Sequence, residues 1–132
     1  MNANVDISRP IFLVEDNPLD VDLTKRAFES SRLVNKIEVA RDGEEAIAWI
    51  ARWEAGEPLP LIVLLDLKLP RVDGLEVLRR IKNHSDFKVL PVVVLTSSSE
   101  DKDIQSAYEL GANSYIVKPV DFEKFLSLAS EI

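Results

Sequence analysis

Five polar side chains in this 132-residue chain stand at the ends of apolar runs, where a folded chain can expose them together. Asp66 follows Leu61-Ile62-Val63-Leu64-Leu65, and Glu15 and Asp16 follow Ile11-Phe12-Leu13-Val14. Thr96 follows Val92-Val93-Val94-Leu95, and Lys118 follows Tyr115-Ile116-Val117. Three carboxylates brought close together repel one another, and either a raised pKa or a bound cation relieves them. Hard oxygen donors suit Mg²⁺, which keeps several waters and takes only one or two carboxylates. Lys118 adds an ammonium and Thr96 a hydroxyl donor. A carboxylate nucleophile, a divalent cation, an ammonium and a hydroxyl are what phosphoryl transfer requires. Asp66 is the best nucleophile candidate, because it alone ends a central strand without an acidic neighbour.

The elements that must position these groups follow from patterning. Apolar, β-branched runs bounded by turn residues read as strands buried on both faces of a parallel sheet. Asn17 is placed to cap a helix that Pro18 opens, with Leu19, Leu23, Ala27 and Phe28 as its inward stripe. Ile37 and Val39 alternate with polar residues, as suits a short edge strand. Asp42-Gly43-Glu44-Glu45 carries a capping-box pattern, followed by Ala46, Ile47 and Ile50 facing inward. Trp49 and Trp53, four apart on that helix, read as packing rather than as a stacking platform for a ligand. A third helix starts near Gly74, with Leu75, Leu78 and Ile81 inward. Ser97-Ser98-Ser99 offers cap oxygens to a helix carrying Ile104, Ala107 and Tyr108, which Gly111 closes in a left-handed conformation. Asp121 caps a last helix with Phe122, Phe125, Leu126 and Ala129 inward.

Five strands thus alternate with five helices, the pattern of an α/β doubly wound (βα)5 fold. Its flavodoxin-like form is a five-stranded parallel sheet of order 2-1-3-4-5 with helices on both faces. That order sets the first and third strands side by side, so Glu15, Asp16 and Asp66 share one crevice at the carboxyl rim. Residues 1–10 show no periodicity and read as a flexible N-terminal arm, with residues 11–132 as one domain.

Composition narrows the function classes. The formal charge is −7, from 23 acidic and 16 basic residues, which argues against nonspecific binding to nucleic acid. The absence of cysteine removes disulfides, thiolate chemistry and zinc clusters. The first residues lack a signal peptide, and no apolar run approaches the roughly 20 residues of a membrane span, so the expected location is cytoplasmic. A nucleotide-binding module needs a glycine-rich loop after its first strand, and Glu15-Asp16-Asn17-Pro18 has no glycine. An aspartyl phosphatase of the haloacid-dehalogenase type needs Asp-x-Asp there, usually with a cap domain that this length does not accommodate.

Glu15-Asp16-Asn17-Pro18, Asp66 with Pro70 and Asp73-Gly74, Thr96, and Lys118-Pro119 occur in an order that resembles response-regulator receiver domains. These are the phosphoacceptor half of two-component signalling, and the resemblance spans essentially the whole chain. It implies that Asp66 accepts a phosphoryl group from a sensor histidine kinase, and that the protein is not itself an enzyme. It implies Mg²⁺ as cofactor, held by Glu15, Asp16, Asp66 and the backbone carbonyl of Lys68. Thr96 and Lys118 would contact the phosphoryl group, and Thr96 and Tyr115 would act as the switch pair. Lys118-Pro119 corresponds to the family's cis peptide. Lys68 and Ser98 occupy positions that tune the lifetime of the phosphoryl group. The stretch from Val92 to Phe122, the string Glu15-Asp16-Asn17-Pro18-Leu19-Asp20 and the longer loop before Pro60 resemble stand-alone regulators paired with bacterial phytochromes. A phytochrome-type kinase is the partner this implies.

With the receiver pattern taking up the chain, output is expected through binding or by passing the phosphoryl group onward in a relay, with no direct nucleic-acid or membrane partner. The expected surface is the face of the fourth helix, fifth strand and fifth helix, with Tyr108, Tyr115 and Phe122, which is also where a homodimer would form. A pseudo-receiver kept only for interaction would typically have lost Asp66 or Lys118, and both are present. His84, the single histidine, reads as a solvated surface residue at a polar helix end.

Overall fold

The computed structural model describes residues 9–30, 34–97 and 101–118. Strands and helices alternate as β1 (Ile11–Val14), α1 (Pro18–Ser30), β2 (Ile37–Ala40), α2 (Gly43–Glu54), β3 (Ile62–Leu65), α3 (Gly74–Lys82), β4 (Val92–Thr96), α4 (Asp101–Glu109) and β5 (Ser114–Val117). All strand pairs are parallel, in the order β2-β1-β3-β4-β5 that the alternation predicts. Every residue of β1, β3 and β4 is buried, whereas β2 and β5 at the edges are mostly half-buried. Near-continuous apolar runs therefore went to the centre and the alternating run to an edge, as burial on two faces or fewer requires.

Successive strand residues point to opposite faces and build two cores. Phe12, Val14, Val63, Leu65, Val92 and Val94 face the layer of α2, α3 and α4, meeting Ala46, Ile50, Trp53, Val77, Leu78, Ile81 and Ala107. Ile11, Leu13, Ile62, Leu64, Val93, Leu95 and Ile116 face the other way, toward Val21 and Phe28 of α1.

The helix starts are fixed by side-chain caps. Asn17 Oδ1 accepts the N–H of Leu19 at 2.9 Å and of Asp20 at 3.4 Å. Asp42 Oδ1 accepts the Glu45 N–H at 2.8 Å, while Glu45 Oε1 reaches back to the Arg41 N–H at 3.2 Å, one residue before the cap. Asp73 Oδ1 accepts the Leu75 N–H at 3.2 Å. Gly111, at φ 104°, ends α4: its N–H bonds the Tyr108 carbonyl and the Ala112 N–H bonds the Ala107 carbonyl, the paired closure that a left-handed residue permits.

Several expectations are corrected. The inward face of α1 is Val21 and Phe28, with Leu19 and Leu23 exposed at 64% and 52% and Ala27 half-buried. Leu19 and Leu23 lie two residues either side of Val21, about 200° around the helix, so a face that buries Val21 turns both outward. In α3, Val77 is fully buried and Leu75 only partly. Arg9 and Pro10, expected in the arm, are held against the fold. Pro10 is buried and its carbonyl accepts the Leu61 N–H, while the Arg9 guanidinium donates to the carbonyls of Leu59 and Pro60. His84 is not a free surface residue: its ring stacks on Phe87 with centroids 3.9 Å apart, and Nε2 lies 3.2 Å from Glu54 Oε2.

Trp53 is buried edge-on to Phe12 and Phe87, and Trp49 lies half-buried beneath the Arg52 guanidinium at 3.9 Å, so both tryptophans are packing residues. The expectations placed on residues 1–8, on Ser98, on Pro119 and its peptide bond, and on the last helix with Asp121, Phe122, Phe125, Leu126 and Ala129 fall outside the described residues.

Candidate functional site at the carboxyl rim

Glu15 and Asp66 are each the first residue beyond a strand, and each remains tied to its neighbour. The Glu15 N–H bonds the Ala40 carbonyl at 2.9 Å, and the Asp66 N–H bonds the Val14 carbonyl at 3.0 Å. The sheet thereby holds two carboxylates next to one another, 3% and 7% exposed, with Asp16 exposed beside them. One oxygen from each of Glu15, Asp16 and Asp66 lies within 4.8 Å of the others. Backbone groups orient the two buried acids: Glu15 Oε2 accepts the Asn17 N–H at 3.2 Å, and Asp66 Oδ1 accepts the Lys68 N–H at 3.0 Å.

Lys118 enters from the next strand but one. Its backbone N–H bonds the Thr96 carbonyl at 2.8 Å, carrying the β4–β5 ladder one residue further and bringing the side chain to the rim. Its ammonium donates to Glu15 Oε1 at 2.5 Å, Asp20 Oδ2 at 2.9 Å and Asp66 Oδ2 at 3.2 Å. Thr96 is fully buried at the end of β4. Tyr115 pairs in register with Val94, and Val117 with Thr96, so Tyr115 and Thr96 share one sheet face. Tyr115 is half-buried against the larger core.

The loop after Asp66 is held from both ends. A Cβ at Gly74 would stand 2.4 Å from the Asp66 carbonyl oxygen, so only glycine lets the start of α3 lie against the Asp66 backbone. Arg71 adopts φ 71°, a left-handed conformation costing a non-glycine residue about 1–2 kcal/mol. Its guanidinium bonds Asp42 Oδ2 at 3.2 Å and Glu44 Oε2 at 3.3 Å, strapping the loop to the start of α2. The Lys68 ammonium lies 3.9 Å from Asp103 Oδ2, so this long side chain reaches toward α4 rather than into the crevice.

Burial pushes the Glu15 carboxyl up to about 7; the Lys118 hydrogen bond opposes that rise and the Asp66 charge adds to it. For Lys118, burial disfavours the ammonium, but hydrogen bonds to Glu15 and Asp20 and the charge of Asp66 outweigh it and hold the group above the usual lysine range. Among the described residues, Glu15, Asp20 and Asp66 share the Lys118 ammonium, with Asp16 beside Glu15 and Asp66, so carboxylates outnumber positive charges there. An all-oxygen donor set short of positive charge fits a hard divalent cation. Glu15, Asp16 and Asp66 would hold it.

The structure thus gathers Glu15, Asp16, Asp66, Thr96 and Lys118 at one rim, as their positions after strands predict. It adds Asp20, which the sequence reading did not select. The available signal was an acid three residues after the Asn17 cap, at the end of α1 that starts from this rim.

The chain belongs to the response regulator receiver domain family, whose pattern matches residues 11–130. Within it, the chain is similar to regulators associated with phytochromes. The structure of the bacteriophytochrome response regulator AtBRR is 47% identical, with a TM-score of 0.82 over 94% of this chain and 91% of that one. The phosphorylated cyanobacterial phytochrome response regulator RcpA is 37% identical, with a TM-score of 0.80 over 94% and 90%. Among curated sequences, the probable methanogenesis regulatory protein FilR2 of Methanothrix harundinacea (strain 6Ac) is 46% identical over 123 residues, 92% of this chain and 79% of its own length. Among the described residues no helix is long and apolar enough to cross a membrane.

Proposed function

We propose that residues 11–132 form a receiver that is phosphorylated on Asp66 by a sensor histidine kinase, in the cytoplasm, with Mg²⁺ as cofactor. The observation that carries this reading is the convergence of Lys118 on Asp66 Oδ2, with Glu15 and Asp16 alongside. Asp66 Oδ2 is the nucleophilic oxygen. It attacks the phosphorus of a phosphohistidine in line, the P–N bond breaks as the P–O bond forms, and the imidazole leaves and takes up a proton. Glu15, Asp16, Asp66 and the Lys68 carbonyl would hold the Mg²⁺, which would supply neutralisation of charge on the transferring oxygens.

Lys118 keeps its ammonium at the rim and binds a phosphoryl oxygen, and the Thr96 hydroxyl donates to another. Thr96 moving toward the phosphoryl group frees space on its own sheet face, into which Tyr115 turns. Lys68 and Ser98 set how readily water reaches the acyl phosphate. For Lys68 the ion pair with Asp103 supports a link between that position and α4. The similarity to AtBRR and RcpA supports a phytochrome-type kinase as the donor. The output surface is α4, β5 and the helix that follows, through which a protein target or a second copy of the chain binds. Tyr108, 48% exposed on α4, supports that assignment.

The test is phosphate incorporation from acetyl phosphate with and without Mg²⁺, on wild type and Asp66→Asn, with sizing of the same samples. Mg²⁺-dependent incorporation that disappears in Asp66→Asn is the expected result. Undiminished labelling of that variant, or none in folded wild type, would overturn the reading.

A further inference from the structure

An ammonium has three N–H bonds to give, and Lys118 gives all three to carboxylates: Glu15, Asp20 and Asp66. Two of these acceptors, Glu15 and Asp66, also belong to the oxygen cluster that fits a divalent cation; Asp20 does not. Lys118 therefore stands in the crevice as a substitute positive charge, and a cation entering between Glu15 and Asp66 competes with it for the same two acids. An ammonium on a side chain only 17% exposed, stripped of its partners, would oppose that entry strongly.

Asp20 lies on the far side of this competition. It sits in the first turn of α1, where the Asn17 side chain holds its N–H, and its own carbonyl accepts the Thr24 hydroxyl at 2.8 Å. Its carboxylate is 2.9 Å from Lys118 Nζ and 32% exposed, so it is firmly placed without being committed to the cation cluster.

We infer that Asp20 is a positioning residue that acts through Lys118, retaining the ammonium on the α1 side of the crevice when a divalent cation takes over Glu15 and Asp66. Cation loading is then an exchange of Lys118 partners rather than the stranding of a buried charge. The inference rests on the rim being a cation site.

The test is calorimetric titration of Mg²⁺ into wild type, Asp20→Asn, Lys118→Met, the double variant and Asp22→Asn. The last removes the same charge from the same helix at a residue paired with Arg26 at 3.0 Å. Thermal unfolding of each variant is followed in parallel, with Asp20→Glu, which keeps the carboxylate, expected to retain much of the wild-type affinity. Asp20→Asn is expected to weaken Mg²⁺ binding about fivefold, a coupling typical of groups in one network. Asp22→Asn should leave it unchanged, and Asp20→Asn should add nothing once Lys118 is methionine. An equal or larger loss in the Lys118→Met background would make Asp20 a bare attractive charge and overturn the inference, as would no effect in wild type. Either result with cation binding intact sinks this role alone. A wild type that binds no Mg²⁺ would remove the cation reading beneath it as well.

Discussion

Glu15 is the residue through which pH acts on this site. Its carboxyl is pushed up to about 7 by burial, and a cation must displace its proton to use it. The apparent affinity for Mg²⁺ should therefore rise about tenfold per pH unit well below that value, where about one proton is released per ion bound, and flatten above it, where none is. Titration calorimetry in buffers a unit either side checks this, and Glu15→Gln should abolish the dependence. In the absence of cation the sign for folding is opposite. The folded protein holds this proton more tightly than the unfolded chain, whose value is 4.5, so the stability it contributes is fully present below 4.5 and is lost as pH rises through about 7. At this scale the sequence exposed most of the site, because Glu15, Asp16, Asp66, Thr96 and Lys118 each follow a run that had to be a strand. Asp20 was hidden for a physical reason: an acid in the first turn already has a sufficient local explanation in the helix dipole. The lysine that selects it is 98 residues away.

At the scale of elements, where the first three helices start was legible and which face α1 buries was not. Asn17, Asp42 and Asp73 announce their helices by cap chemistry that is local in sequence. On α1 both the Leu19–Leu23 pair and the Val21–Phe28 pair satisfy helical spacing, and only docking against the sheet decides between them. The smaller core takes Val21 and Phe28 and leaves Leu19 and Leu23 in solvent. Phe28→Ala should therefore cost about 3–5 kcal/mol in urea unfolding. Leu23→Ala should change stability by no more than about 0.5 kcal/mol. The reverse ranking would mean that α1 is rotated from the orientation described. Val77 in place of Leu75 on α3 follows the same logic, since neighbouring apolar residues on a short helix compete for one buried stripe.

For the whole molecule, the order β2-β1-β3-β4-β5 makes function follow from topology. Strict alternation of strand and helix forces parallel pairing, and that order brings the ends of β1 and β3 together, which is how acids 51 residues apart in sequence come to share a crevice. The contacts that cross between elements after the sheet has formed were beyond the sequence. Lys68 reaching Asp103, and Arg71 binding Asp42 and Glu44, depend on how loops settle over helices rather than on any periodicity. The central claim is that this assembly delivers a phosphoryl group to one oxygen-bearing residue, and the most direct measurement locates that residue. The protein is incubated with acetyl phosphate and Mg²⁺, reduced with borohydride to convert any acyl phosphate to an alcohol, digested and read by mass spectrometry. The account predicts homoserine at Asp66 and nowhere else. An unreduced Asp66 with the alcohol at another acidic residue, or no alcohol at all from folded protein, would contradict it.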